Sequence, residues 1–442
     1  MSGSRSYGRG AAILSVGIGA TGLITFGYFA LASHALPADE YGRITLLWSA
    51  MFITVSVLYR PVEQLLSRTI ADHDARRIAG TDHLRVAASI QLALAALFLV
   101  VALAFRGRIQ DDLFAGSSTL YWILLVGVLA YAASYFARGY LAGHHLFPLY
   151  GGLVLMEATS RCLFALAVAV GIAEGQSAVA LGMAAAPIVS LAVVPPALAR
   201  RIRPRERDRV AQPAFESDPA QLDAASRDEP AAREQEFTLA RGSGFAAAVL
   251  LVMLCEQTFL NAGPLLVKAT ADTGGAALAG FTFNVLLIAR APLQLFQAIQ
   301  TSILPHLTRL RAGGERDPFA RSVNVTLRAI AAFAGMVALV MLVAGPALMD
   351  LLFGGDFDYG RGGLVLVALG MGLYLSAATL NQALLAHERA PQSAVCWMAC
   401  AVLFVLFLLI VEFDNRVLQV EVAFIGAAAL LAGSLYALYR RA

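Results

Sequence analysis

Charge is scarce in this chain, and sequence fit for water is scarcer. Acidic and basic residues fill 14% of the 442 positions, against roughly 25% in soluble domains. Lysine occurs once, at Lys268, beside 32 arginines, a bias of genome composition more than of chemistry. The four cysteines, Cys162, Cys255, Cys396 and Cys400, lack the spacing of a metal or redox pair and read as small buried hydrophobes. No GxxxxGK[ST] phosphate loop occurs, which excludes an ATPase of that kind. No segment alternates polar with apolar residues over strand lengths, which excludes a spanning β-barrel.

What is present is oil. Hydrophobic residues make up 59% of the chain and the mean hydropathy is +0.69. A helix needs about 20 apolar residues to cross a bilayer, and the sequence offers twelve such stretches. They are 11–33, 43–67, 86–105, 119–142, 149–173, 178–199, 243–267, 276–304, 323–345, 363–386, 391–411 and 420–439. The first is longer than the apolar core of a secretory signal and is read as an uncleaved span. The fold expected is an all-α polytopic membrane protein with about 12 transmembrane helices.

The arginines set its orientation. With both termini in the cytoplasm and each span reversing the chain, basic residues in cytoplasmic segments outnumber those in outer joints 23 to 5. That is the positive-inside bias, and adding or removing one span destroys it. Arg138 is counted on the cytoplasmic side in this scheme. The outer joints hold Asp111, Asp112, Asp350, Asp356 and Asp358 in stretches too short for an enzyme cleft. The protein is therefore not read as an enzyme, and no cofactor or metal site is expected.

One long hydrophilic interval, 200–241, divides the chain. Rich in Arg, Asp, Glu, Ala and Pro, it is read as a charged, disordered cytoplasmic linker. It separates an N-terminal lobe, 1–199, from a C-terminal lobe, 242–442. Six spans on each side enter the membrane in the same sense, as a parallel 6+6 pseudo-repeat would. Arg60-Pro61-Val62-Glu63-Gln64-Leu65 and Arg290-Ala291-Pro292-Leu293-Gln294-Leu295 occupy corresponding places in the two halves.

Function should lie in the polar groups held at membrane depth, because each charge there costs about 2.5–3.5 kcal/mol or more. Arg60, Glu63, Gln64 and Ser67 share one face of the second span, and Arg290, Gln294, Gln297 and Thr301 one face of the eighth. Glu157 and Arg161 lie in the fifth span; Glu256, Gln257 and Asn261 lie in the seventh. Two readings stand. The guanidinium groups of Arg60 and Arg290 hold an anionic headgroup, for which the planar fork is suited. Alternatively the charges cancel internally, Arg60 with Glu63, Glu157 with Arg161 and Arg290 with Glu256.

The chain resembles the multidrug/oligosaccharidyl-lipid/polysaccharide flippase superfamily, and within it the polysaccharide-biosynthesis transporters. The resemblance rests on the 6+6 plan and four segments: YRPVEQLLSRTIA from Tyr59, ARGYLAGHHLFPLYGGL from Ala137, LNAGPLLV from Leu260 and IARAPLQLFQAIQTSILPHLTRL from Ile288. It implies alternating access and a polyprenyl-diphosphate-linked oligosaccharide carried from the inner to the outer leaflet of the cytoplasmic membrane. It implies a cavity lined by Arg60, Gln64, Arg290, Gln294, Gln297 and Asn261. The partners implied are the lipid-linked glycan, membrane lipids and cell-envelope glycosyltransferases or a polymerase, with no nucleic acid. The multidrug and toxin extrusion branch has the same architecture, so a cation-coupled exporter using Glu63, Glu157 or Glu256 is the alternative. A third reading is a non-transporting scaffold for cell-envelope biosynthesis.

Overall fold

A computed structural model describes residues 2–76, 82–144, 146–193, 239–271, 274–287, 316–354, 359–387 and 389–441. Among the described residues there is no β-strand. The N-terminal half comprises α1 (Ser2–Ala35), α2 (Ala38–Leu58), α3 (Arg60–Arg76), α4 (Asp82–Ala104), α5 (Ser118–Gly143), α6 (Phe147–Ala169) and α7 (Gly175–Ser190). The C-terminal half comprises α8 (Leu239–Thr270), α9 (Gly275–Leu287), α10 (Arg316–Phe353), α11 (Arg361–Ala386), α12 (Ala390–Ile410) and α13 (Arg416–Arg440). The expected linker lies outside the described residues, except for 239–241 at the start of α8.

Local chemistry explains where these helices start and break. Ser117 caps α5 by accepting a hydrogen bond from the Leu120 amide, and Asn415 caps α13 through the amides of Val417 and Leu418. The second span, expected as one rod over 43–67, is instead α2 and α3, joined at Tyr59. Pro61 is the cause: it has no amide hydrogen and its ring crowds the preceding turn. The ninth span runs from 316 to 353, well beyond the 323–345 needed to cross lipid. With α2 and α3 counted as one crossing, the described helices fall in the places of the twelve expected spans.

The helices present large apolar side chains outward: Leu92, Leu97 and Val100 on α4, Leu342 and Val343 on α10, and Leu403 and Ile410 on α12 are exposed. Water would not tolerate that perimeter, whereas acyl chains match it. Nine helical stretches among the described residues are long and apolar enough to cross a membrane.

Six-helix packing repeats in the two halves. In the first, α1 packs on α6, α5 on α7, α6 on α7 and α4 on α5. In the second, α8 packs on α12, α11 on α13, α12 on α13 and α10 on α11. In span order these are the same pairs, offset by six, as a parallel duplication requires.

The lobes meet at the end that the arginine bias places outside. There Tyr41 donates a hydrogen bond to the Asn284 side-chain carbonyl, and Asn284 donates to Tyr359 at 3.1 Å. Ser33 donates to the Phe353 carbonyl. Phe29 packs on Phe283 with ring centroids 4.6 Å apart, and Phe26 lies 5.4 Å from Phe353. Gly42 lies so close to α9 that a Cβ would fall 1.8 Å from the carbonyl oxygen of Ala276.

Candidate functional site

Three helix faces converge within the N-terminal lobe. Tyr131, Ser134, Tyr135 and Arg138 follow i, i+3, i+4, i+7 along α5, so their side chains share one face. Tyr150, Glu157 and Arg161 follow i, i+7, i+11 along α6. Arg60 and Glu63 lie in the first turn of α3. Gly139 lets α3 approach, since a Cβ there would sit 2.8 Å from the Glu63 carbonyl oxygen. Small residues at such crossings let helix backbones close up in lipid.

Glu157 is the hub of this cluster. Only 2% exposed, its carboxylate accepts hydrogen bonds from Arg138 and Ser134, and from Ser190 at the end of α7 at 3.3 Å. Arg138 closes an ion pair with it and stacks over the Tyr135 ring at 4.6 Å. The arginine counted as cytoplasmic in the sequence is thus a partly buried member of the site. Its helix continues beyond it to Gly143, so Arg138 lies within the helix and not in a joint.

Arg161 does not pair with Glu157. Spacing of i, i+4 puts both on one face, but the facing helix supplies Arg138 directly opposite the carboxylate, and Arg161 turns toward α2. Its guanidinium lies 5.0 Å from the Trp48 ring centroid and 5.6 Å from that of Phe52, and it donates to Tyr131 Oη at 2.6 Å. It is 4% exposed. Among the described residues its Nε has no hydrogen-bond partner, and no acid lies within 4 Å of its guanidinium. Stacking on indole stabilises a desolvated guanidinium by about 2 kcal/mol, so Trp48 offsets part of the cost of this charge.

Arg60 and Glu63 also diverge from the expected pairing. Glu63 accepts a hydrogen bond from Tyr150 Oη at 2.8 Å and lies within electrostatic range of Arg138. Of the acids around Arg60, Glu256 on α8 acts on it most strongly and Glu63 less. Arg60 and Glu256 belong to opposite lobes, and no ion pair within 4 Å joins them among the described residues. Gln64 is exposed rather than turned into the cluster. Asn261 is buried and donates to Gln257 Oε1 one turn back at 3.1 Å. Arg290, Gln294, Gln297 and Thr301 lie outside the described residues.

No family model matches the chain, and no curated protein matches it in sequence. Solved structures do match it in shape. One is the inward-facing form of a multidrug resistance MATE family transporter of the MOP superfamily, at TM-score 0.66 and 10% identity, covering 97% of each chain. The chain has the MATE transporter fold. A mutant form of the Vibrio cholerae MATE transporter VcmN matches at TM-score 0.58 and 13% identity, covering 100% of this chain and 98% of that one. The eukaryotic MATE transporter AtDTX14 matches at 0.62 and 13%, covering 98% and 95%. At such identities the likeness concerns the MATE fold and its two six-helix lobes, and leaves cargo to be argued from the side chains.

Proposed function

We propose that the chain is an alternating-access membrane transporter whose cargo is a lipid-linked oligosaccharide, carried from the inner to the outer leaflet of the cytoplasmic membrane. The observation that carries this reading is Arg161, a guanidinium buried in a membrane-spanning helix with an aromatic bed and no acid paired to it among the described residues. Such a group favours an anion with several oxygens, and a diphosphate offers a planar fork its preferred partner. Trp48 and Phe52 beside it suit the apolar faces of sugar rings or the lipid chain. Arg60, within electrostatic range of Glu256 on the opposite lobe, supplies a second cation. Glycosyltransferases and a polymerase of the cell envelope are the partners this cargo would require.

Replacing Arg161 by alanine should lower surface-glycan delivery about ten- to hundredfold, since a hydrogen bond to a charged group contributes about 1.5–3 kcal/mol. Arg161→Lys should recover little, because it keeps the charge and loses the fork and the stacking plane. Glycan at the cell surface, measured beside protein level in the membrane, decides the matter. Normal delivery with Arg60 and Arg161 both replaced would end the headgroup reading.

Glu256 favours a second reading, cation-coupled export of small molecules, in line with the multidrug resistance named for the MATE transporter above. On that reading expression confers drug resistance, and Glu256→Gln removes it while the arginine replacements leave it in place.

A further inference from the structure

Away from the arginine cluster, the C-terminal lobe buries an acid that no described residue neutralises. Glu421 lies five residues into α13, about 7.5 Å along the axis from Arg416 at 1.5 Å per residue. It is 7% exposed. Its carboxylate rests directly on the backbone of α11 at Gly363, where a Cβ would fall 2.1 Å from Oε2 and 2.2 Å from Oε1. Only glycine leaves that notch open. The flanking residues are wedged in the same way: Val420 rests on Gly263 of α8, and Phe424 on Gly370 of α11. Glu421 is therefore held in place by packing on both sides.

The charged groups on the elements packed around it are Arg361 on α11, Lys268 and Glu256 on α8, Glu412 and Asp414 in the joint before α13, and Arg416 on α13 itself, with Arg241 and Arg440 at the far ends of α8 and α13. Arg416 is occupied by Glu412 at 4.0 Å and by Gln419 at 3.1 Å. No ion pair or hydrogen bond reaches the Glu421 carboxyl among the described residues, and it is buried against the Gly363 backbone. No group of three acidic, histidine or cysteine side chains gathers around it among the described residues.

We propose that Glu421 is a proton-binding site: it seats in the Gly363 notch as the neutral acid, its proton drawn from the outer aqueous phase, and leaves the notch on ionising. An ionised carboxylate buried against bare backbone without a partner is strongly disfavoured, whereas the acid form fits. Closure of α11 on α13 at the outer end thereby takes up one proton. Any link from that uptake to cargo movement rests on the transport reading above; the binding itself does not.

Infrared difference spectra of the full-length protein in liposomes, titrated with acid and base, test the site independently of transport. The expected result is a protonated-carboxyl carbonyl band at neutral pH that is absent from Glu421→Gln and unchanged by sodium chloride. Gly363→Ala, which fills the notch and leaves the acid in the sequence, should expel the side chain into a more polar setting and move its titration at least tenfold in proton concentration toward acid. A neutral-pH spectrum with no band dependent on Glu421 overturns the proposal, as does a band that sodium removes. If Glu421→Gln does not fold, the Gly363→Ala shift decides, and an unshifted titration overturns the proposal.

Discussion

Gly42→Val is expected to prise the lobes apart at their outer ends. The added Cβ would meet the Ala276 carbonyl oxygen at 1.8 Å, and that oxygen belongs to helix backbone, which cannot swing aside as a flexible side chain does. Overpacking of this kind costs about 1–3 kcal/mol, enough to shift the outer-closed population by roughly one to two powers of ten. Moving α2 away from α9 also pulls Tyr41 from Asn284, and with it the bond chain to Tyr359. The check is chemical labelling from outside: Ser33→Cys, 8% exposed at the seam, should react faster with a membrane-impermeant maleimide when Gly42→Val is present. The four native cysteines would be replaced by alanine in both proteins. Equal labelling rates would mean that this seam is no gate.

Glu157→Ala should be the most damaging single change within the N-terminal lobe. It leaves the partly buried Arg138 without its ion-pair partner and removes the acceptor for Ser134, while Ser190 keeps the Pro187 carbonyl. Breaking a buried pair by deleting one partner costs about 3–5 kcal/mol, while replacing both with apolar residues of similar size is often neutral. The double variant Arg138→Met, Glu157→Leu should therefore melt well above Glu157→Ala. Thermal unfolding of the detergent-solubilised protein measures both. If single and double variants fall equally, the pair is not what locks α5 to α6.

Much of the site is present in the sequence as stripes without partners. Arg60 and Glu63 are identifiable from their spacing within an apolar run, and so are Glu157 and Arg161. Arg138 is not, because a charge near a span end reads as a joint residue and strengthens the positive-inside count. Its signal is the i, i+3, i+4, i+7 run with Tyr131, Ser134 and Tyr135. Glu421 escapes for the same reason, one residue inside an expected boundary at 420. Its glycine at position 363 lies 58 residues away in sequence, and no local pattern links the two.

Pairing also escapes one-dimensional reading. Spacing along a helix shows which side chains share a face, but a charge takes the partner that the opposite helix brings to it. Glu157 and Arg161 share a face, yet Glu157 binds Arg138 on α5 and Arg161 stacks on Trp48 of α2.

From composition and order alone came the spans and the two-lobe plan, because bilayer thickness acts on each segment separately, and the arginine bias gives their expected direction. Tertiary structure decided which charges neutralise each other, where the lobes touch and which glycine lies beneath a carboxylate. Those outcomes depend on distances between helices far apart in the chain, and only packing sets them.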